Sequence, residues 1–173
     1  RSTAETHATS SPSMDISKAS NFERFVFDMV DRDAATVRAL WADIDGKGGF
    51  DLSGTAHWKR VAASGFTSGM STHADRIATI RETHARHGVI VDPHTADGLK
   101  VGRDHREAGV PLVCIETALP AKFAATIREA LGRDPDLPAS YVDLEARTQR
   151  YDVMPADVER VKAYIAAHSG PGN

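Results

Sequence analysis

Residues 112–123 read Leu112-Val113-Cys114-Ile115-Glu116-Thr117-Ala118-Leu119-Pro120-Ala121-Lys122-Phe123. Leu112 to Ile115 form an apolar run too short for a helix, flanked by turn residues, as in a strand buried on both faces. A helix follows from about Ala121 to Leu131, with Phe123, Ile127 and Leu131 inward and Gly132 as terminator. Val89-Ile90-Val91 repeats the arrangement upstream. There Asp92 caps the next helix and Pro93 takes its first position, where a missing amide costs nothing. Strands that alternate with helices predict an α/β fold with parallel layering. Only two strands stand out, too few to bury both faces of a parallel sheet. The expectation is an incomplete parallel sheet flanked by helices, as one part of a larger sheet.

Outward from this centre the chain reads as helical. Ser20 and Glu23 have the spacing of a capping box, and Phe22, Phe25, Val26, Met29 and Val30 gather on one face. A second helix from Asp33 carries Val37, Leu40, Trp41 and Ile44, and should stop at Gly46 in the Gly-Lys-Gly-Gly run. Ala56 to Ala63 reads as a short helix, and Phe66 to Ser71 as extended. Ala74 to His87 forms a long helix with Ile77 and Ile80 inward and Gly88 as its stop, and Gly109 should close the helix begun at Pro93. Arg133 to Met154, with Pro135 and Pro138, predicts irregular backbone. Pro155 opens a last helix with Val158, Val161, Tyr164 and Ile165 at helical spacing.

The 173 residues are 41% hydrophobic and 26% charged, enough for one sizeable core. Lys and Arg total 21 against 24 Asp and Glu, a net charge of −3 without the basic excess of a nucleic-acid binder. No apolar run approaches the ~20 residues of a membrane span. The single cysteine, Cys114, leaves no internal disulfide and suits a reducing, cytoplasmic setting. The sequence starts at Arg1 without an initiator Met, as a trimmed tail or an edge of a larger protein would.

Most candidate chemistry dissolves on inspection. Asp43, Asp45 and Asp51 surround a glycine-rich turn, but a calcium loop starting at Asp43 would have Lys47 and Gly54 at ligand positions. His84 and His87, with His73 and His94 nearby in sequence, lack the defined further ligands that zinc requires, so no metal is expected. Cys114 lies inside the apolar run, where a thiol packs instead of reacting. Thr117 is different. Ligands gather at the carboxyl ends of strands in open α/β sheets, and its hydroxyl stands there. The residues alone leave it as either a ligand contact or a helix cap. His94 and Thr95 lie in the first turn of a helix, where amides favour anions.

Ser11-Pro12-Ser13-Met14-Asp15-Ile16, Ser20-Asn21-Phe22-Glu23-Arg24, Asp92-Pro93-His94-Thr95-Ala96 and Thr117-Ala118-Leu119-Pro120-Ala121-Lys122-Phe123 occur in the order and spacing of threonine synthase. The chain resembles the C-terminal portion of the bacterial and fungal branch over essentially its whole length. The resemblance implies a fold-type-II pyridoxal-phosphate enzyme, a carbon–oxygen lyase that converts O-phosphohomoserine and water to threonine and phosphate. It makes 20–63 a helical insertion and 133–173 an irregular extension ending in a helix, all within one catalytic domain.

It also implies that the Thr117 hydroxyl faces the cofactor's pyridine nitrogen, with Ala118 beside it and His94 and Thr95 as further cofactor contacts. Arg24 is a candidate anion contact through its bidentate fork, although a structural ion pair is the commoner use. Many relatives have His where Leu119 stands. The family's Schiff-base lysine motif, Ser-Phe-Lys-Asp-like, and its Gly-Asn-Phe-Gly-like phosphate loop do not occur here. None of Lys18, Lys47, Lys59, Lys100, Lys122 and Lys162 has the required context. The resemblance thus implies no catalytic lysine in this chain, inactivity in isolation, and an N-terminal half of the same enzyme as its partner. The competing expectations are a non-catalytic threonine-synthase-like module and another fold-type-II lyase.

Overall fold

A computed structural model describes residues 6–144 and 146–170. Among them are helices α1 (Ser20–Met29), α2 (Ala34–Lys47), α3 (Trp58–Ala63), α4 (His73–His87), α5 (Pro93–Asp104), α6 (Ala124–Leu131) and α7 (Val158–His168). Short 3-10 turns occupy Pro12–Met14, Pro120–Phe123 and Ala139–Tyr141. The chain divides into two compact units, Arg1–Asp136 and Leu137–Asn173. In the second, Asp157 caps α7 by accepting from the Arg160 amide at 2.8 Å, and Tyr164 stacks on His168.

The first unit has two cores. Ile77, Ile80, Val91, Ala96, Ile127 and Ala130 join α4, α5 and α6, as the stripes of α4 and α6 predict. Val26, Val30 and Val37 join α1 to α2, walled by Phe22, Phe25, Phe27, Trp41 and Phe50. Asp92 caps α5 with Pro93 at its first position, as expected, whereas Asp33, expected to start α2, is its cap and accepts from the Ala35 and Thr36 amides.

The expected strands are not formed, and the described residues contain no strand, so the sheet half of the α/β expectation is not seen. Strands need neighbours for their ladder hydrogen bonds, and 89–91 and 112–115 have none here. Val113 and Ile115 are consequently 76% and 72% exposed.

Smaller corrections concern helix ends. Ala19, not Ser20, takes the N-cap backbone of α1, so the Ser20–Glu23 box does not form. The box that does form joins Thr72 and Asp75 at the start of α4. α2 runs through Gly46 to Lys47 and stops at Gly48, whose φ of 79° is the left-handed conformation that favours glycine. α5 ends at Asp104, well before Gly109. The segment from Phe66 to Ser71 carries no regular structure.

One ionic centre ties the first unit together. The Arg76 side chain of α4, 7% exposed, donates from Nε to Asp97 Oδ1 of α5 at 2.7 Å. Its Nη1 donates to Ser10 Oγ and its Nη2 to the Ser71 carbonyl, each at 3.2 Å. A buried charge stripped of its partner is strongly destabilising. Asp97→Ala should therefore lower unfolding free energy by about 3–5 kcal/mol in urea melts. Asp136→Ala, at a carboxylate 91% exposed, should change it by less than about 0.5 kcal/mol. Equal effects would refute the assignment.

The α4 cap titrates. The Thr72 hydroxyl and amide both donate to Asp75 Oδ2, at 2.7 and 2.8 Å, and hold that carboxyl below its usual 3.8. A depressed carboxyl stabilises fully above the unfolded value and loses that contribution as pH falls through the folded one. Amide exchange at Thr72, Asp75 and Arg76 should accelerate, relative to the intrinsic rate, below about pH 4. In Asp75→Asn this pH step should be absent.

Candidate functional site

The first turn of α5 is built on Asp92, whose side chain is fully buried. Its Oδ1 accepts from the His94 amide at 2.9 Å and from His94 Nδ1 at 2.8 Å. Its Oδ2 accepts from the Thr95 hydroxyl at 2.5 Å and the Thr95 amide at 3.4 Å. His94 Nε2 accepts from the Ser13 amide at 3.1 Å, which leaves the ring proton on Nδ1, facing Asp92. The amides of His94 and Thr95, expected to attract an anion, thus already serve the Asp92 carboxylate.

His94 also links two motifs that are far apart in sequence. Through Ser13 it holds Ser11-Pro12-Ser13-Met14-Asp15, a turn closed by Met14 N to Ser11 O at 2.8 Å. Asp15 secures the same turn by accepting from the Thr9 amide at 2.7 Å and hydroxyl at 2.8 Å, and those bonds lower its pKa. On its other side the His94 ring meets Phe123 edge-on, with centroids 4.8 Å apart. His94, Met14, Gly69, Arg76 and Val101 line an open cleft of about 530 Å³.

Residues 112–114 run along α5. Leu112 lies against Gly102, where an added Cβ would meet its Cδ1 at 3.2 Å, and Cys114 Sγ would lie 3.0 Å from a Cβ on Gly98. Sγ also donates to the Thr95 carbonyl at 3.7 Å. Two extended residues span about 6.6 Å and four helical residues about 6 Å, so alternate side chains of 112–114 register on the glycines of α5. Thr117 follows, exposed and with no hydrogen bond among the described residues; Ala118 beside it is half-buried. The Thr117 hydroxyl is uncharged and can both donate and accept a hydrogen bond.

The structure therefore brings His94, Thr95 and the Thr117 segment together. Arg24 lies on α1, exposed and without an ion pair among the described residues. Among the described residues His73, His84 and His87 form no metal-holding group; His73 links Ser10 Oγ to Glu129 Oε1, 2.9 Å from each. Sequence reasoning missed the role of Gly98 and Gly102, although their four-residue spacing beside Leu-x-Cys was the available signal. It also took Asp92 as a plain cap, missing its hold on two side chains.

The model for the family described as "Threonine synthase, C-terminal" matches residues 95–165. The threonine synthase of Methylobacillus glycogenes is 57% identical over 97% of this chain, and that of Corynebacterium glutamicum 50% over 95%; in each case 35% of the relative is covered. The crystal structure of pyridoxal-phosphate-bound threonine synthase from Brucella melitensis superposes with a TM-score of 0.81 at 37% identity. That match covers 97% of this chain and 36% of the other. The chain thus shares the fold of the matched third of that structure. It is similar over nearly its whole length to the matched portion of these threonine synthases, and it spans about a third of the length of the relatives it matches. No helix among the described residues is long and apolar enough to cross a membrane.

Burial pushes the Cys114 thiol up, and Asp92 and Glu116 push it further. The thiolate is the reactive form. Cys114 should therefore be alkylated by iodoacetamide at pH 7 more slowly than glutathione, as followed by intact mass. An equal rate would show that the thiol is not held against α5.

Proposed function

We propose that this chain serves as the C-terminal third of a threonine synthase, a carbon–oxygen lyase that converts O-phosphohomoserine and water to threonine and phosphate. The observation that carries this reading is 57% identity to a threonine synthase across nearly the whole chain. The matched region 95–165 contains Thr117. The Schiff-base lysine and phosphate loop belong to the remaining two thirds, which is the partner of this chain, and the complete enzyme works in the cytoplasm. Residues 20–63 act as a helical insertion and 133–173 as a C-terminal extension.

Pyridoxal phosphate, when bound, supplies the electron sink for the reaction. Thr117 would face the cofactor's ring nitrogen, and as a neutral hydroxyl it would leave that nitrogen largely unprotonated. Ala118 gives the ring a small neighbour. His94 and Thr95, whose side chains bond Asp92 and Ser13, would support the cofactor site by holding the first turn of α5. Arg24, exposed on α1 and without an ion pair among the described residues, is the candidate contact for the substrate phosphate.

The test is a chimera in which this chain replaces the matching third of its 57%-identical relative. The chimera should release phosphate from O-phosphohomoserine, and failure to do so would reject the reading. Thr117→Val removes one hydrogen bond, worth about 1–3 kcal/mol at a buried or charged partner. It should cut kcat/KM by roughly 10–100-fold and shift the cofactor absorbance. Thr117→Ser should restore both. Wild-type behaviour in Thr117→Val would remove Thr117 from the site.

A further inference from the structure

We infer that the Gly98 face of α5, together with His94, acts as a two-ended clamp that fixes where the Thr117 hydroxyl stands. This makes Gly98, Cys114, His94 and Phe123 positioning residues for Thr117. Thr117 has no hydrogen bond of its own among the described residues, so its place must come from what holds the chain on either side. On one side, three residues before it, Cys114 Sγ sits in the space left by Gly98 and donates to the Thr95 carbonyl at 3.7 Å. On the other, six residues after it, the Phe123 ring meets His94 edge-on at 4.8 Å.

Both grips converge on one turn of one helix. His94 is oriented by Asp92 through its Nδ1 and by Ser13 through its Nε2. Thr95 is oriented by Asp92 through its hydroxyl. The buried carboxylate therefore sets both anchor points at once, while residues 115–119 bridge them without regular structure. Six residues of chain after Thr117 would otherwise leave its hydroxyl free to wander over several ångströms. The 3-10 turn Pro120–Phe123 shortens that span, and the Phe123 ring ends it.

Gly98 supplies the decisive test, because helix propensity and clamp geometry predict opposite results. Alanine inside a helix is favoured over glycine by about 1 kcal/mol, so a purely structural view makes Gly98→Ala neutral or stabilising. A Cβ there would lie 3.0 Å from Cys114 Sγ and must displace it. In the 173-residue chain, the Thr117 amide and methyl NMR signals should shift in Gly98→Ala, while α4 amides such as Ile77 and Ile80 stay in place. Gly98→Ala with Cys114→Ala removes the obstructing sulfur and should return the Thr117 signals toward wild type.

Phe123→Leu keeps the apolar volume but loses the ring edge, and should broaden the Thr117 signals. It decides the matter should Gly98→Ala fail to fold. Unmoved Thr117 signals in Gly98→Ala and Phe123→Leu would overturn the inference, as would a double variant as displaced as the single one. The functional meaning of the clamp rests on the cofactor reading of Thr117. That reading stands or falls separately, on the Thr117→Val chimera, so the two failures are distinguishable.

Discussion

The guanidinium of Arg76 organises the first unit. A buried cation must have its donors satisfied, and Arg76 satisfies them from three different places in the chain. Asp97 supplies a carboxylate from α5, Ser10 a hydroxyl from the N-terminal segment, and Ser71 a carbonyl from the stretch leading into α4. Each acceptor comes from a piece of chain whose own secondary structure says nothing about the others. The planar fork of arginine, with its fixed donor directions, sets their relative places in a way a lysine point charge would not. The other carboxylate oxygen, Asp97 Oδ2, is buried without a partner among the described residues. The pairing with Arg76 is what makes that burial tolerable.

Around this centre, packing and polarity have separate tasks. The Ile77, Ile80 and Ile127 cluster supplies apolar burial between α4, α5 and α6. Asp92, buried beside it, converts a helix start into a scaffold by gripping His94 and Thr95. The result is a rigid first turn of α5 that faces an open cleft on one side and the Thr117 segment on the other. A side chain carried on irregular chain keeps a fixed place only if rigid elements flank it.

The legibility of the sequence followed the range of each interaction. The cap at Asp92, the stop at Gly132, and the stripes of α4 and α6 depend on residues within a turn or two, and they appeared as read. Ser20 misled because a capping box needs the serine in extended backbone, and Ala19 took that conformation instead. The strands misled for a different reason. Apolar runs record that side chains are to be buried, whereas a strand is defined by a neighbour's hydrogen bonds, and no described residue supplies that neighbour.

By itself, then, the sequence determined the helices, their apolar faces, the family motifs and the position of Thr117 after a short apolar run. Those features are written in spacings of three, four or two residues. Only the tertiary structure decided that Arg76 is buried, that Cys114 rests on Gly98, and that His94 reaches both Ser13 and Phe123. Ser13 and His94 are separated by 81 positions and Arg76 and Asp97 by 21. No local pattern encodes such pairings, because they exist only once packing has brought the elements together.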